Sequence, residues 1–239
     1  MIENSIITLN NNEINWDMVF TYFKAYTHVD MNDIPEVYQD YVEPMLKVFR
    51  EEAILKVKFA VEDIISKDNS HIVMRDEAAF TGKMIGKAYE DAKKVLMYVI
   101  SVVNIDDLLG AHTDMMDSFF LEYWAVSVLN TIRETLYAKW QKEIEESEFK
   151  LTSIWSPGQS RFELPNQNPL FQLLKPEEIG VILDKHTRMV PLKTVSGTVG
   201  IVPKDSEILL IACDYCEHAK TCPGYKGKKY ADITDRRLV

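Results

Sequence analysis

The chain has 239 residues, enough for one large domain or two small ones with a sizeable buried core. Its formal net charge of -10 opposes nucleic-acid phosphates and anionic membranes as partners. No apolar run reaches the roughly 18 residues that span a bilayer. The opening Met1-Ile2-Glu3-Asn4 lacks the basic-then-apolar layout of a secretory signal, so a cytoplasmic location is expected.

Taken in chain order, residues 12–26 place Ile14, Met18, Val19, Tyr22 and Phe23 along one face at helical spacing, with Asn11 or Asn12 as the expected cap. A second helix is predicted over 35–52, carrying Val42, Met45, Leu46 and Phe49 inward. Alternation in Ile54–Val61 predicts a strand with one wet face. Lys67-Asp68-Asn69-Ser70 reads as a turn before a short strand at 71–74. Residues 76–92 read as a helix with Phe80, Met84, Ile85 and Ala88 inward. Val95–Val103, apolar and β-branched throughout most of its length, is the predicted central strand.

From Thr113 to about Glu146 the pattern is helical without Gly or Pro, as expected of a long scaffold helix. Beyond Ser147 the texture changes to short elements: a helix at 168–176 and strands at 179–183, 188–192 and 207–212. The expected fold class is α+β, with long helices packed on a twisted, mostly antiparallel sheet. A single unit over 1–225 is expected, with a helix-rich half (1–147), a loop-and-strand half (148–212) and a cysteine cluster (213–222); 226–239 would be a tail. The basic Lys226-Gly227-Lys228-Lys229 belongs to that tail and reads as solvated.

All three cysteines fall within ten residues as C-x2-C-x5-C: Cys213, Cys216 and Cys222, with His218 between the last two. An odd count argues against a disulfide framework. Thiolates this close are suited to zinc or an iron–sulfur cluster, and three Cys plus His218 would fill a tetrahedral site; free thiols are the alternative. His28, His71, His112 and His186 share no metal spacing. Asp106, Asp107, Asp114 and Asp117 are explained by capping of the long helix. Ser160 and Ser196 lack a nearby nucleophile elbow or a paired His, which argues against a hydrolase.

Three segments carry a more specific pattern. They are Ser156-Pro157-Gly158, then Asn168–Leu174 running into Ile179-Gly180-Val181, and finally Met189-Val190-Pro191 followed by a turn expected at Val195-Ser196-Gly197. In order and spacing they resemble the S-adenosylmethionine-binding core of the reactivation domain of cobalamin-dependent methionine synthase, and more closely its stand-alone relatives in anaerobic bacteria. The resemblance covers about residues 12–225 and is specific over 156–200.

The family's Arg-x-x-Pro-Gly-Tyr loop appears here with Ile154 for the Arg and Gln159 for the Tyr, and its Ile-Asp-Trp segment as Ile14-Asn15-Trp16. The resemblance implies an S-adenosylmethionine site made by Pro157, Gly158, Gln159 and Arg161 with Ser196 and Gly197, where Arg161 would meet the methionine carboxylate. It also implies a partner that carries cobalamin, either a corrinoid protein or methionine synthase modules, and an electron donor. The function implied is reductive methylation of cobalamin. A non-catalytic binding or assembly module of the same fold, with its cysteines used for a structural metal or redox sensing, is the alternative that Ile154 and Gln159 raise.

Overall fold

The computed structural model describes residues 2–159, 161–207 and 210–222. A five-stranded antiparallel sheet divides them into two layers. Its strands are β1 (Ser5–Leu9), β2 (Leu55–Asp63), β6 (Lys94–Val102), β7 (Phe149–Leu151) and β10 (Thr194–Pro203), in the order β1-β2-β6-β10-β7. The expected central strand is therefore central: β6 pairs with β2 from Leu55↔Val102 to Asp63↔Lys94, and with β10 from Thr194↔Ser101 to Ile201↔Lys94. Every residue from Val95 to Val102 is buried, which is why this stretch is apolar without alternation.

On one face lie the long helices α1 (Trp16–Thr27), α2 (Gln39–Glu52), α4 (Ile105–Ala111) and α5 (Met115–Glu143). Leu96, Tyr98, Ile100, Val57 and Val199 of the sheet pack there against Phe120, Trp124, Val128 and Trp140 of α5. The Phe23 and Trp124 rings stack at 3.6 Å, and Trp124 Nε1 donates to the Val42 carbonyl at 3.3 Å, so one side chain joins three helices. Asp114 caps α5, its carboxylate accepting from the Met116 and Asp117 amides at 2.8 and 3.4 Å.

The opposite face carries smaller elements. They are β3 (Ser66–Lys67), β4 (His71–Val73) and β5 (Ala79–Thr81) in a three-stranded sheet, α3 (Lys83–Ala88), α6 (Gln167–Leu174), and the hairpin β8 (Ile182–Leu183) with β9 (Met189–Val190). Met97 and Val99 meet Phe80, Ile85, Trp155, Phe162 and Leu170 in this second core. The architecture is the α+β class expected.

Several local expectations are corrected. The helix expected over 76–92 is a 3-10 turn, strand β5 and the short α3. Asp76 and Glu77 both have left-handed backbone (φ 54° and 58°), which ends any helix, and Phe80 is buried by pairing with Ile72 instead. Asn15, not Asn11 or Asn12, caps α1, accepting from the Met18 amide at 3.2 Å. The strand expected at 207–212 is not one over its described part. Leu210 and Ile211 are irregular and Ala212–Tyr215 is a 3-10 helix, while 208–209 and the tail 226–239 lie outside the described residues. Strands β1, β5 and β7 are not announced by the sequence pattern.

The turn expected at Val195-Ser196-Gly197 is also corrected: these residues lie inside β10. Gly197 is small because Tyr98, its cross-strand partner, lies over it; a Cβ there would stand 2.4 Å from the phenol oxygen. Gly200 does the same on the other face, where Tyr89 Cδ1 would be 2.9 Å from a Cβ. Gly197→Ala is expected to cost about 1–3 kcal/mol through displacement of the buried ring, read as a lower denaturation midpoint with an unchanged slope.

Candidate functional site

The Pro-Gly loop is attached to the sheet by the chain on either side of it. After β7 the backbone continues beside β10: the Thr152 amide donates to the Gly200 carbonyl at 2.9 Å, and Trp155 and Thr198 exchange amide bonds at 2.9 and 2.7 Å. Side chains reinforce this seam. Thr152 Oγ1 accepts from the Gly200 amide, the Tyr89 and Thr198 hydroxyls are 2.7 Å apart, and Thr198 Oγ1 donates to the Trp155 carbonyl. Trp155 is fully buried in the second core.

The loop then leaves the sheet. Pro157 is buried, whereas Gly158, Gln159 and Arg161 are exposed; Ser160 lies outside the described residues. Gly158 takes φ +89°, a conformation that a side chain disfavours, and donates to the Phe162 carbonyl at 2.6 Å. The Phe162 amide returns a bond to the Gln159 carbonyl at 2.8 Å, closing a tight reversal. Phe162 is buried edge-on against Phe80 at 5.5 Å, anchoring the returning limb in the second core.

Two buried carboxamides fix the chain between the loop and α6. Asn166 accepts from the Thr81 amide (2.7 Å) and donates to the Thr81 and Glu163 carbonyls (3.1 and 3.0 Å). Gln167 Nε2 stands 2.8 Å from Ser196 Oγ. Ser196 and Gly197 are thus buried within β10, Ser196 bonded to Gln167 and Gly197 covered by Tyr98. The structure places Pro157, Gly158, Gln159 and Arg161 together on the loop, and Ser196 and Gly197 apart from them inside β10, on opposite faces of the sheet. Sequence reasoning missed Asn166 and Gln167, whose signal was their place immediately before the apolar residues of α6.

Ile154 is partly buried against the helical core. The Tyr137 hydroxyl on α5 reaches the same strand, donating to the Thr152 carbonyl at 2.7 Å, and burial pushes its pKa up to about 12. Tyr98, fully buried with no well-aligned hydrogen-bond partner for its hydroxyl, is likewise raised to about 12 by burial, against the opposing pull of Arg133. Tyr89 is raised by burial as well.

The cysteines lie on a segment laid over this region. Ser153 Oγ donates to the Leu210 carbonyl at 2.7 Å and accepts from the Ala212 amide at 3.3 Å, and Tyr215 faces Trp155 at 6.4 Å. Cys213 and Cys216 are half-buried and Cys222 is exposed, all as free thiols. Among the described residues no group of three or more His, Cys, Asp or Glu side chains converges as a metal site, so the expected ligand set of Cys213, Cys216, Cys222 and His218 is not brought together. The stretch is a 3-10 turn followed by further turns. No helix among the described residues is long and apolar enough to cross a membrane.

A cleft of about 640 Å³ lies beside α3, lined by Lys67, Lys83 and Lys87 with Asp68, Ser70 and Glu90. Gly82, which precedes α3, lies near the Arg161 carbonyl on the returning limb of the loop.

Two stability tests rest on this geometry. Asn166→Ala removes three hydrogen bonds and strands both polar groups of Thr81, so a loss of about 2–4 kcal/mol is expected in chemical denaturation. The raised phenols give a signed pH dependence. Their native pKa values exceed the unfolded value of 10, so the stabilisation is intact below about pH 10 and is lost as pH rises toward 12. Denaturation midpoints should fall across that window, and less steeply in Tyr98→Phe.

No family model matches the sequence, and no curated protein does. The fold is similar to that in the crystal structure of the MetH reactivation domain bound to AdoHcy, with a TM-score of 0.57 at 13% identity, over 86% of this chain and 80% of that one. At that identity the likeness is one of fold.

Proposed function

We propose that this chain binds S-adenosylmethionine on the Pro157-Gly158 loop and supports reductive methylation of a cobalamin carried by a corrinoid partner. The observation that carries this reading is the fold likeness, across most of both chains, to a reactivation domain that holds AdoHcy. The loop suits the ligand. Its reversal at Gly158 leaves backbone and the Gln159 and Arg161 side chains exposed at one place, above a seam fixed by the Trp155–Thr198 bridge.

In this reading the chemistry is supplied by the cobalt. Oxidised cobalamin takes one electron from a donor and then the methyl group from the sulfonium, leaving S-adenosylhomocysteine. The protein's task is to hold the methyl donor in line with the metal, a matter of proximity and orientation. Loop residues make the ligand contacts, while Ser196 and Gly197 belong to the strand to which the chain before the loop is bridged. No catalytic acid or base is assigned.

The residues around the cysteines do not form a ligand set for zinc or an iron–sulfur cluster, so no electron step is routed through them. Ile154 favours one second reading, an assembly module that keeps the fold without a methyl-donor site, since its apolar side chain lies against the helical core. Calorimetric titration separates the two. Saturable heat with both S-adenosylmethionine and S-adenosylhomocysteine is expected, weakened by Gln159→Ala; no heat at high protein concentration would leave only the assembly module.

A further inference from the structure

The Arg missing from position 154 leaves a gap in the site that another element is placed to fill. On α5, Asn130, Arg133 and Tyr137 project to one side of the helix, being three, four and seven apart. The outer two are tied down in different directions. Asn130 Nδ2 donates to the Tyr26 hydroxyl of α1 at 3.1 Å, and Tyr137 donates to the Thr152 carbonyl just before the Pro-Gly loop at 2.7 Å. Arg133 therefore emerges between the end of α1 and the strand that leads into the loop.

Its surroundings are polar, with Tyr26 and Tyr98 near it on the helical side of the sheet. Burial raises the Tyr26 and Tyr98 phenols, and the Arg133 charge draws both back down, in keeping with its place on this face of α5. Ser156, at the start of the loop, also draws the Tyr98 phenol down. Arg133 is half-buried, and no carboxylate of the described residues pairs with it. A partly desolvated guanidinium of that kind attracts a carboxylate and can hold it bidentately.

We infer that Arg133, and not the exposed Arg161, anchors the amino-acid carboxylate of the ligand, compensating from the long helix for Ile154. This rests on the reading that the loop binds an S-adenosyl ligand. The ligand would lie with its amino-acid end toward α5 and its nucleoside end over Gly158 and Gln159. Lysine at 133 would keep the charge but lose the planar fork.

Two probes distinguish the outcomes: S-adenosylhomocysteine, which has the carboxylate, and 5′-methylthioadenosine, which lacks the amino-acid group. For Arg133→Met, binding of S-adenosylhomocysteine should weaken about 10- to 100-fold with methylthioadenosine unchanged, as loss of a charge-assisted pair implies. Arg133→Lys should fall between wild type and Arg133→Met. Thermal melts of each variant check folding, and if Arg133→Met does not fold, the lysine variant carries the comparison. Unchanged S-adenosylhomocysteine binding in the Arg133 variants, or equal weakening of both probes, would overturn the anchor while leaving the loop site intact. Wild-type protein that binds neither probe overturns the S-adenosyl reading itself, and the anchor with it.

Discussion

The central sheet has no wet face at its middle, and that constraint shapes everything around it. β6 and β10 are covered on both sides, so each must present side chains that two different layers can accept. Where large rings are needed on both faces of so thin a layer, the strand must yield. β10 does so with Gly197 under Tyr98 on the helical side and Gly200 under Tyr89 on the other. Between those two positions, at Thr198, the chain bearing the Pro-Gly loop makes its bridge. The loop is thus set by the packing of two tyrosines that never reach the surface.

This arrangement explains why the candidate site and the core share residues. Thr198 and Ser196 face the second core, and their hydroxyls bind Tyr89, Trp155 and Gln167 rather than water. A buried polar network of this type is stable only when its members are satisfied, and it then fixes one geometry. The exposed loop residues can vary in identity without disturbing it. Gln159 is such a residue, because the loop's course depends on Trp155, Pro157 and Phe162, all of which are buried.

The fold was legible in the sequence where periodicity was long. The apolar run at 95–103 and the uninterrupted helix after Thr113 could be read because burial on two faces, or along one long stripe, leaves an unmistakable composition. The region 76–92 misled because Phe80, Met84, Ile85 and Ala88 have helical spacing, while the backbone of Asp76 and Glu77 is left-handed for reasons that lie in the tertiary fit. Ser196-Gly197 read as a turn because a small residue after a hydroxyl is a turn signal; only the ring of Tyr98 tells otherwise. The loop itself was legible, since Pro and Gly mark it. Its supports, Asn166 and Gln167, were not, because their partners Thr81 and Ser196 are remote in sequence.

Asn166 has a bearing on the molecule's behaviour among its neighbours. Its carboxamide takes both the N–H and the C=O of Thr81, as the backbone of an adjacent strand would. The outer margin of the small three-stranded sheet is thereby occupied by a side chain at the point where it would otherwise offer a template for another chain. One residue thus serves as a substitute strand, and the protein gains a closed border against edge-to-edge aggregation without adding a further segment of sheet.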